Sequence, residues 1–173
     1  MVSNEFDQRL KFPATSRNRQ HIAEVLKNYI PKNGIILEIA SGSGEHGVFF
    51  QNHFPSIVWQ TSDPESLNRD SIRSWIQHED LRSIMPAPID LNVVDKPWPL
   101  TTYCKALIEG IVCINMIHIS PWSCTKALFE GSKNYLKKNN FLMIYGPFFT
   151  NDKCTSESNL NFDLSLKLQN PLW

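Results

Sequence analysis

The stretch from Ile35 to Phe50 constrains the fold more than any other. It reads Ile-Ile-Leu-Glu-Ile-Ala-Ser-Gly-Ser-Gly-Glu-His-Gly-Val-Phe-Phe. The apolar, β-branched run Ile35 to Ala40 predicts a buried strand. Ser41 to Gly44 predicts a turn, and a helix resumes at Glu45 and runs to about Phe54, before Pro55. Glycine lets a backbone come close to a ligand, and the unpaired N–H groups of a first helical turn point at it. Gly42, Gly44 and Gly47 satisfy G-x-G-x-x-G, the fingerprint of a nucleotide-binding corner. An ordinary strand-to-helix turn also uses glycines, so the motif alone does not choose between a site and a turn.

Two acids tilt the choice. Asp63 closes the next apolar run, Ile57 to Ser62, nineteen residues beyond Gly44. A carboxylate at about that distance is where a nucleotide ribose is held. Glu38 lies inside the first predicted strand, four residues before Gly42. A carboxylate buried in a strand is costly without partners. Nicotinamide sites have no general need of one there. Methyltransferases that use S-adenosylmethionine (SAM) on a Rossmann-like fold usually carry it, as Glu/Asp-x-Gly-x-Gly-x-Gly. Ala40 stands at the first glycine of that pattern.

The rest of the chain alternates. Met1 to Thr15 reads as an arm; from Ser16 a helix is predicted, with Ile22, Val25, Leu26, Tyr29 and Ile30 at helical spacing. Glu65 to Glu79 predicts an amphipathic helix, with Leu67, Ile72, Trp75 and Ile76 on one side. Pro86 to Leu91 predicts a short third strand, and Asp95 to Thr102 a loop. Gly110 to Met116 predicts the fourth strand. Ser120-Pro121-Trp122 starts a helix reaching about Lys138. Phe141 to Tyr145 is the fifth strand, and Ser158 to Leu168 a last helix. Five strands alternating with helices predict an α/β fold, a doubly wound and mostly parallel sheet. Ligands sit outside the carboxyl ends of such strands.

Charge and composition exclude some partners. Lysine plus arginine equal aspartate plus glutamate, 17 each, so the net charge is zero. That argues against a general nucleic-acid or membrane-surface binder. No apolar run approaches the length of a membrane span, and the N-terminus is polar. Cys104, Cys113, Cys124 and Cys154 form no C-x-x-C pair, which predicts no structural metal and a reducing compartment, the cytoplasm or nucleus.

The chain resembles a family of small methyltransferase-like proteins, named as a domain of unknown function and found in bacteria and animals. The matching stretches are Ser16 to Arg19, Leu37 to His46, Trp59 to Pro64, Cys113 to Trp122 and Tyr145 to Phe148, with Ser158-Asn159 and Phe162-Asp163. The resemblance implies a Rossmann-like SAM-dependent methyltransferase fold in one domain, residues 1–173. Relatives continue into two closing strands in the order 3-2-1-4-5-7-6, so the sequence is expected to be a short form lacking them. By that resemblance Gly42 and Gly44 cradle the methionine part of SAM, beside Ala40. Glu38 orders the loop and the SAM amino group. Asp63 accepts both ribose hydroxyls or serves as a cap or turn residue before Pro64, and Asp90 takes the adenine amino group, with Leu91 packing on the ring, or is a solvated loop acid. Asn115 meets the amino group or the acceptor. His46 and His118 are the titratable candidates for a base, though either serves equally as a structural residue. Arg17 and Arg19 are anion-binding candidates or solvated charges. Trp98 and Trp122 are expected to pack.

Three functions fit. The first is a SAM-dependent methyltransferase of unknown acceptor, needing no metal. The second is a SAM-binding protein without turnover that acts through a partner. The third is a nicotinamide-dependent oxidoreductase. Loss of the closing strands would bare the strand Phe141 to Tyr145, a template for self-association or a partner protein.

Overall fold

The computed structural model describes residues 7–148 and 157–173. Cys154 and the side chains of Ser158 and Phe162 lie outside what it describes. Four parallel strands, β1 (Ile35–Ile39), β2 (Val58–Thr61), β3 (Ile108–Ile114) and β4 (Phe141–Tyr145), form one sheet in the order β2-β1-β3-β4. Among the described residues six α-helices accompany them, α1 (Pro13–Leu26), α2 (Glu45–His53), α3 (Ser66–His78), α4 (Thr102–Leu107), α5 (Trp122–Tyr135) and α6 (Glu157–Gln169), with a short 3-10 helix at Met116–His118. β1 is central and every residue of it is buried, Glu38 included. Parallel strands covered on both faces become continuous apolar runs, which is why Ile35 to Ile39 shows no alternation.

The fold class is as expected, but among the described residues the sheet has four strands, not five. Pro86 to Leu91 supplies only a bridge between Ser62 and Ile89. Ile89 N–H donates to Thr61 O at 3.0 Å and Asp63 N–H to Ile89 O at 3.1 Å. Ala87 O, the next acceptor on the β2 side, takes a hydrogen bond from Gln60 Nε2 at 2.9 Å instead of from a β2 N–H, so the ladder does not extend. Other boundaries move as well. α1 starts at Pro13, where the ring's fixed φ suits the first helical position. Its Ile22, Ala23 and Leu26 are buried, whereas Val25 and Tyr29 are exposed. α4 occupies part of the expected loop and adjoining chain, capped by the Thr101 side chain accepting from Cys104 N–H. β3 spans Ile108–Ile114 rather than Gly110 to Met116. α5 begins at Trp122, with no side-chain cap, and ends at Tyr135.

Two apolar layers flank the sheet. One gathers Phe50, Trp59, Ile72 and Ile76 with the buried face of α1. The other gathers Leu91, Trp98, Ile108, Ile111 and Leu128. Trp98 stacks on Tyr135 with ring centroids 5.4 Å apart and donates from Nε1 to Val93 O. It packs as expected, but Trp122 is 66% exposed and does not. Among the described residues no helix is long and apolar enough to cross a membrane.

Gly44 fixes how α2 and α3 meet. Its φ is +90°, and a Cβ there would lie 2.8 Å from Ile72 Cγ1 and 2.9 Å from Ile72 Cα. The second contact is to backbone, which cannot swing aside. Gly44→Ala is expected to cost about 2–5 kcal/mol, combining a left-handed alanine with overpacking. Thermal unfolding followed by circular dichroism checks this; a Tm within about 2 °C of the parent would contradict the close approach.

Candidate functional site

At the carboxyl ends of β1, β3 and β4 the structure encloses a cavity of about 810 Å³. The glycine turn forms one wall, from Ala40 to Ser43. The opposite wall is one face of α1, presenting Ala14, Arg17, Asn18 and His21. Ile114, Asn115 and Tyr145 line it from the strand ends, and Gly146 to Phe148 line another side. The spacing i, i+3, i+4, i+7 puts those four α1 residues on one helical stripe. That stripe was the available sequence signal for Asn18 and His21, and it was hidden because the apolar stripe on the same helix reads more loudly.

Three residues at the rim have left-handed backbones: Ala40 at φ 55°, Gly42 at φ 56° and Asn115 at φ 63°. Ala40 thus adopts the conformation that glycine would take at its place in the pattern, and a non-glycine residue there costs roughly 1–2 kcal/mol. Strain of this kind is held by surrounding structure and concentrates at functional sites. Asn115 N–H donates to Tyr145 O at 2.8 Å, which fixes the end of β3 against β4.

Glu38 forms part of the cavity lining although its residue is 1% exposed. Its Oε2 accepts from Trp59 Nε1 at 3.1 Å. Burial pushes its carboxyl up to about 7, against the hydrogen bonds from Trp59 and Ser41, and the nearby Asp63 adds to the rise. No cation lies against it among the described residues. A carboxyl of that kind gives up its proton when a cationic ligand group arrives.

Asp63 is 3% exposed and turned inward. Its Oδ2 accepts from Gly42 N–H at 2.9 Å. Its Oδ1 accepts from Glu65 N–H at 2.9 Å and Asn68 Nδ2 at 3.0 Å. Asp90 sits outside the cavity with a mostly exposed side chain, paired to Arg69 at 2.9 and 3.0 Å. Leu91 is 1% exposed, within the second apolar layer. Gly44 packs on Ile72 and is not part of the cavity wall.

The two histidines differ. His46 lines the cavity, and its Nε2 lies 2.8 Å from Asn18 Oδ1. That acceptor requires Nε2 to carry the proton. Burial, helped by the Arg19 charge, lowers the ring to about 4. His46 is therefore neutral near pH 7 and too weak a base to suit proton abstraction there. It clamps α1 to α2. His118 is not in the wall: its Nε2 sits behind Gly146, where a Cβ would come within 2.0 Å of it. Burial lowers its pKa as well.

A strap that sequence reasoning placed in a free arm crosses the turn. Leu10 N–H donates to Ser71 Oγ at 2.8 Å, and Trp75 Nε1 donates to Leu10 O at 2.9 Å. Phe12 N–H donates to Glu45 Oε2 at 2.8 Å. The Phe12 ring lies so close that a Cβ on Gly42 would be 3.3 Å from it.

The chain belongs to the family described as "Protein of unknown function (DUF938)", which matches residues 9–173. Several solved structures share its fold. An O-methyltransferase family protein from Burkholderia thailandensis superposes with a TM-score of 0.67 at 16% identity, covering 88% of this chain and 45% of that one. A SAM-dependent methyltransferase from Thiobacillus denitrificans, solved with S-adenosyl-L-homocysteine, gives 0.59 at 15%, covering 87% and 55%. A geranyl diphosphate C-methyltransferase from Streptomyces coelicolor A3(2) gives 0.62 at 13%, covering 88% and 55%. The fold is that of SAM-dependent methyltransferases, and the chain spans about half the length of these structures.

Glu38 and His46 push stability in opposite directions. The folded pKa of Glu38 is raised, so the folded state binds more protons between about 4.5 and 7, and its contribution to stability falls as pH rises through that window. The folded pKa of His46 is depressed, so its contribution falls as pH drops from 6.5 toward 4. Subtracting the Glu38→Gln stability profile from the parent's removes the histidine. The expected difference declines with rising pH between about 4.5 and 7 and is level above. Urea titrations at several pH values check this, and a flat difference would mean that Glu38 is not held protonated.

Proposed function

We propose that the chain binds SAM in this cavity and is a methyltransferase whose acceptor enters the same space. One observation carries the reading: a buried, cation-free carboxyl, Glu38, faces a cavity beside a left-handed turn at the carboxyl ends of a parallel sheet. The pyridinium of an oxidised nicotinamide is a cation without an N–H to donate, whereas SAM carries an ammonium that can donate to such a carboxyl, and a sulfonium. Bound here, SAM would supply a methyl group already activated by its sulfonium.

The residues present fit the ligand's amino-acid end. Glu38 would ionise and take the ammonium, with Asn115 beside it, and the backbone of Ala40 to Gly42 would lie against the methionine chain. Asp63 offers less to a ribose than the sequence suggests. A carboxylate has about four acceptor positions, and three are filled by the protein. One position remains, on Oδ2, for one hydroxyl rather than two. Asp90 keeps lone pairs beside Arg69 for an adenine amino group, with Leu91 supporting that side from beneath. His46 is engaged with Asn18 and too weak a base, and His118 stands behind Gly146, so these residues would promote transfer mainly by alignment and exclusion of water.

A second reading, SAM binding that depends on a partner chain, is favoured by β4. Its outer edge has no strand partner among the described residues, and all five of its residues are only partly buried. Such an edge is a template for another chain.

Calorimetry with SAM, S-adenosylhomocysteine and NAD tests the main reading. S-adenosylhomocysteine is expected to bind in the micromolar range and NAD not at all; the reverse would overturn it. Asp63→Ala is expected to weaken S-adenosylhomocysteine by about 1–3 kcal/mol, the cost of losing charged hydrogen bonds that hold the loop, and equal affinity would remove Asp63 from the site. For the second reading, size-exclusion chromatography is expected to show a dimer or larger species that a proline at Leu142, whose N–H points away from β3, disperses. A monodisperse monomer at all concentrations would rule out pairing between copies.

A further inference from the structure

We propose that Arg17, with His21 one turn further along α1, is an anion-binding station in this cavity and takes a carboxylate or phosphate group of the ligand. The two arginines near the start of α1 are equivalent in sequence terms, but the structure separates them. Arg19 turns to the far side, its guanidinium 4.8 Å from the Phe49 ring centroid. Arg17 faces the cavity.

Arg17 has no ion-pair or hydrogen-bond partner among the described residues. Arg9, Arg69 and Arg73 are paired with Asp7, Asp90 and Asp70. Around Arg17 no acid plays that part. Glu38 is the one acidic residue in the described lining, and it lies buried and hydrogen-bonded to Trp59. Glu24, the acid nearest His21, is 3.9 Å from its Nδ1 and outside the lining. Among the described lining residues the charge of Arg17 therefore has no acidic partner. Ala14 lies one turn before Arg17 on the same stripe, and Asn18 Oδ1 is engaged with His46. A planar guanidinium suits a two-oxygen anion better than a point charge does.

The anion could belong to the cofactor or to the acceptor; only that assignment rests on the methyl-transfer reading. Calorimetry on the parent, Arg17→Gln and Arg17→Lys would use S-adenosylhomocysteine and 5′-methylthioadenosine, a thioether nucleoside without the amino-acid carboxylate. If the cofactor supplies the anion, Arg17→Gln loses about tenfold or more in affinity for S-adenosylhomocysteine and none for 5′-methylthioadenosine, and Arg17→Lys recovers part of the loss. If the acceptor supplies it, S-adenosylhomocysteine binds all three chains alike. Succinate or inorganic phosphate, titrated into the saturated protein and followed by amide shifts, then perturbs α1 in the parent and not in Arg17→Gln. Equal behaviour of parent and Arg17→Gln in both experiments overturns the proposal. Failure of the parent to bind S-adenosylhomocysteine removes the methyl-transfer reading instead, and the anion titrations on the free chain still decide the role of Arg17. Arg17 is exposed, so unchanged melting of the variants is expected and confirms that they fold.

Discussion

A single buried carboxyl sets the conditions for the rest of the structure. Glu38 sits in the central strand with strands on both sides, where an ionised group without a partner would be costly. The fold answers with donors, Trp59 Nε1 from the neighbouring strand and Ser41 from the turn, and with a raised pKa. Trp59 is itself held: its N–H donates to Gln51 Oε1, and Gln51 donates on to Ile57 O. Gly47 lets α2 press on the same spot, since a Cβ there would meet Thr61 Cγ2 at 2.6 Å and Glu38 Oε2 at 3.1 Å. With β2 on one side and α2 on another, the direction left for a compensating charge is the cavity. A group that is costly for stability and open only toward a cavity is the kind of conflict that marks a functional site.

The parts of this arrangement that were legible in the sequence are those set by local chemistry. Apolar runs identified β1, β3 and β4, and the glycine spacing identified the turn, because burial on both faces and positive φ leave direct marks on residue type. Pro86 to Leu91 was misread because its apolar residues suit a strand while a distant side chain, Gln60, takes the Ala87 carbonyl that a longer ladder would use. The site was legible only in outline. Glu38 was conspicuous as a charge among isoleucines. The inward turn of Asp63, the exclusion of His118 by Gly146 and the clamp between His46 and Asn18 depend on contacts between distant segments. A histidine's sequence neighbours do not reveal which side of a glycine its ring will occupy.

Asp63 illustrates how one residue serves structure and site together. Its carboxylate joins three backbone or amide donors from the glycine turn and from the start of α3. The turn is thereby tied to α3 from below, while Gly44 against Ile72 ties it from the side. Ser71 continues the chain of contacts, donating to Ser43 O at 2.7 Å and accepting from Leu10 N–H. The turn is held from several directions, which is how left-handed residues such as Ala40 can persist at its rim.

The strap from Leu10 to Phe12 completes that enclosure and joins it to the opposite wall. It is anchored to α3 through Ser71 and Trp75 and to α2 through Glu45, and it runs directly into Pro13, the first residue of α1. The orientation of α1 is therefore fixed at both ends of its cavity face: by the strap before Pro13 and by the Asn18–His46 bond within the second turn. Because the helix cannot rotate without breaking one of these, its stripe of Ala14, Arg17, Asn18 and His21 must face the glycine turn. The neutral histidine thus has a positional consequence. It adds no charge to the cavity, yet by holding Asn18 it acts with the buried face of α1, Ile22, Ala23 and Leu26, in turning Arg17, and not Arg19, to the cavity.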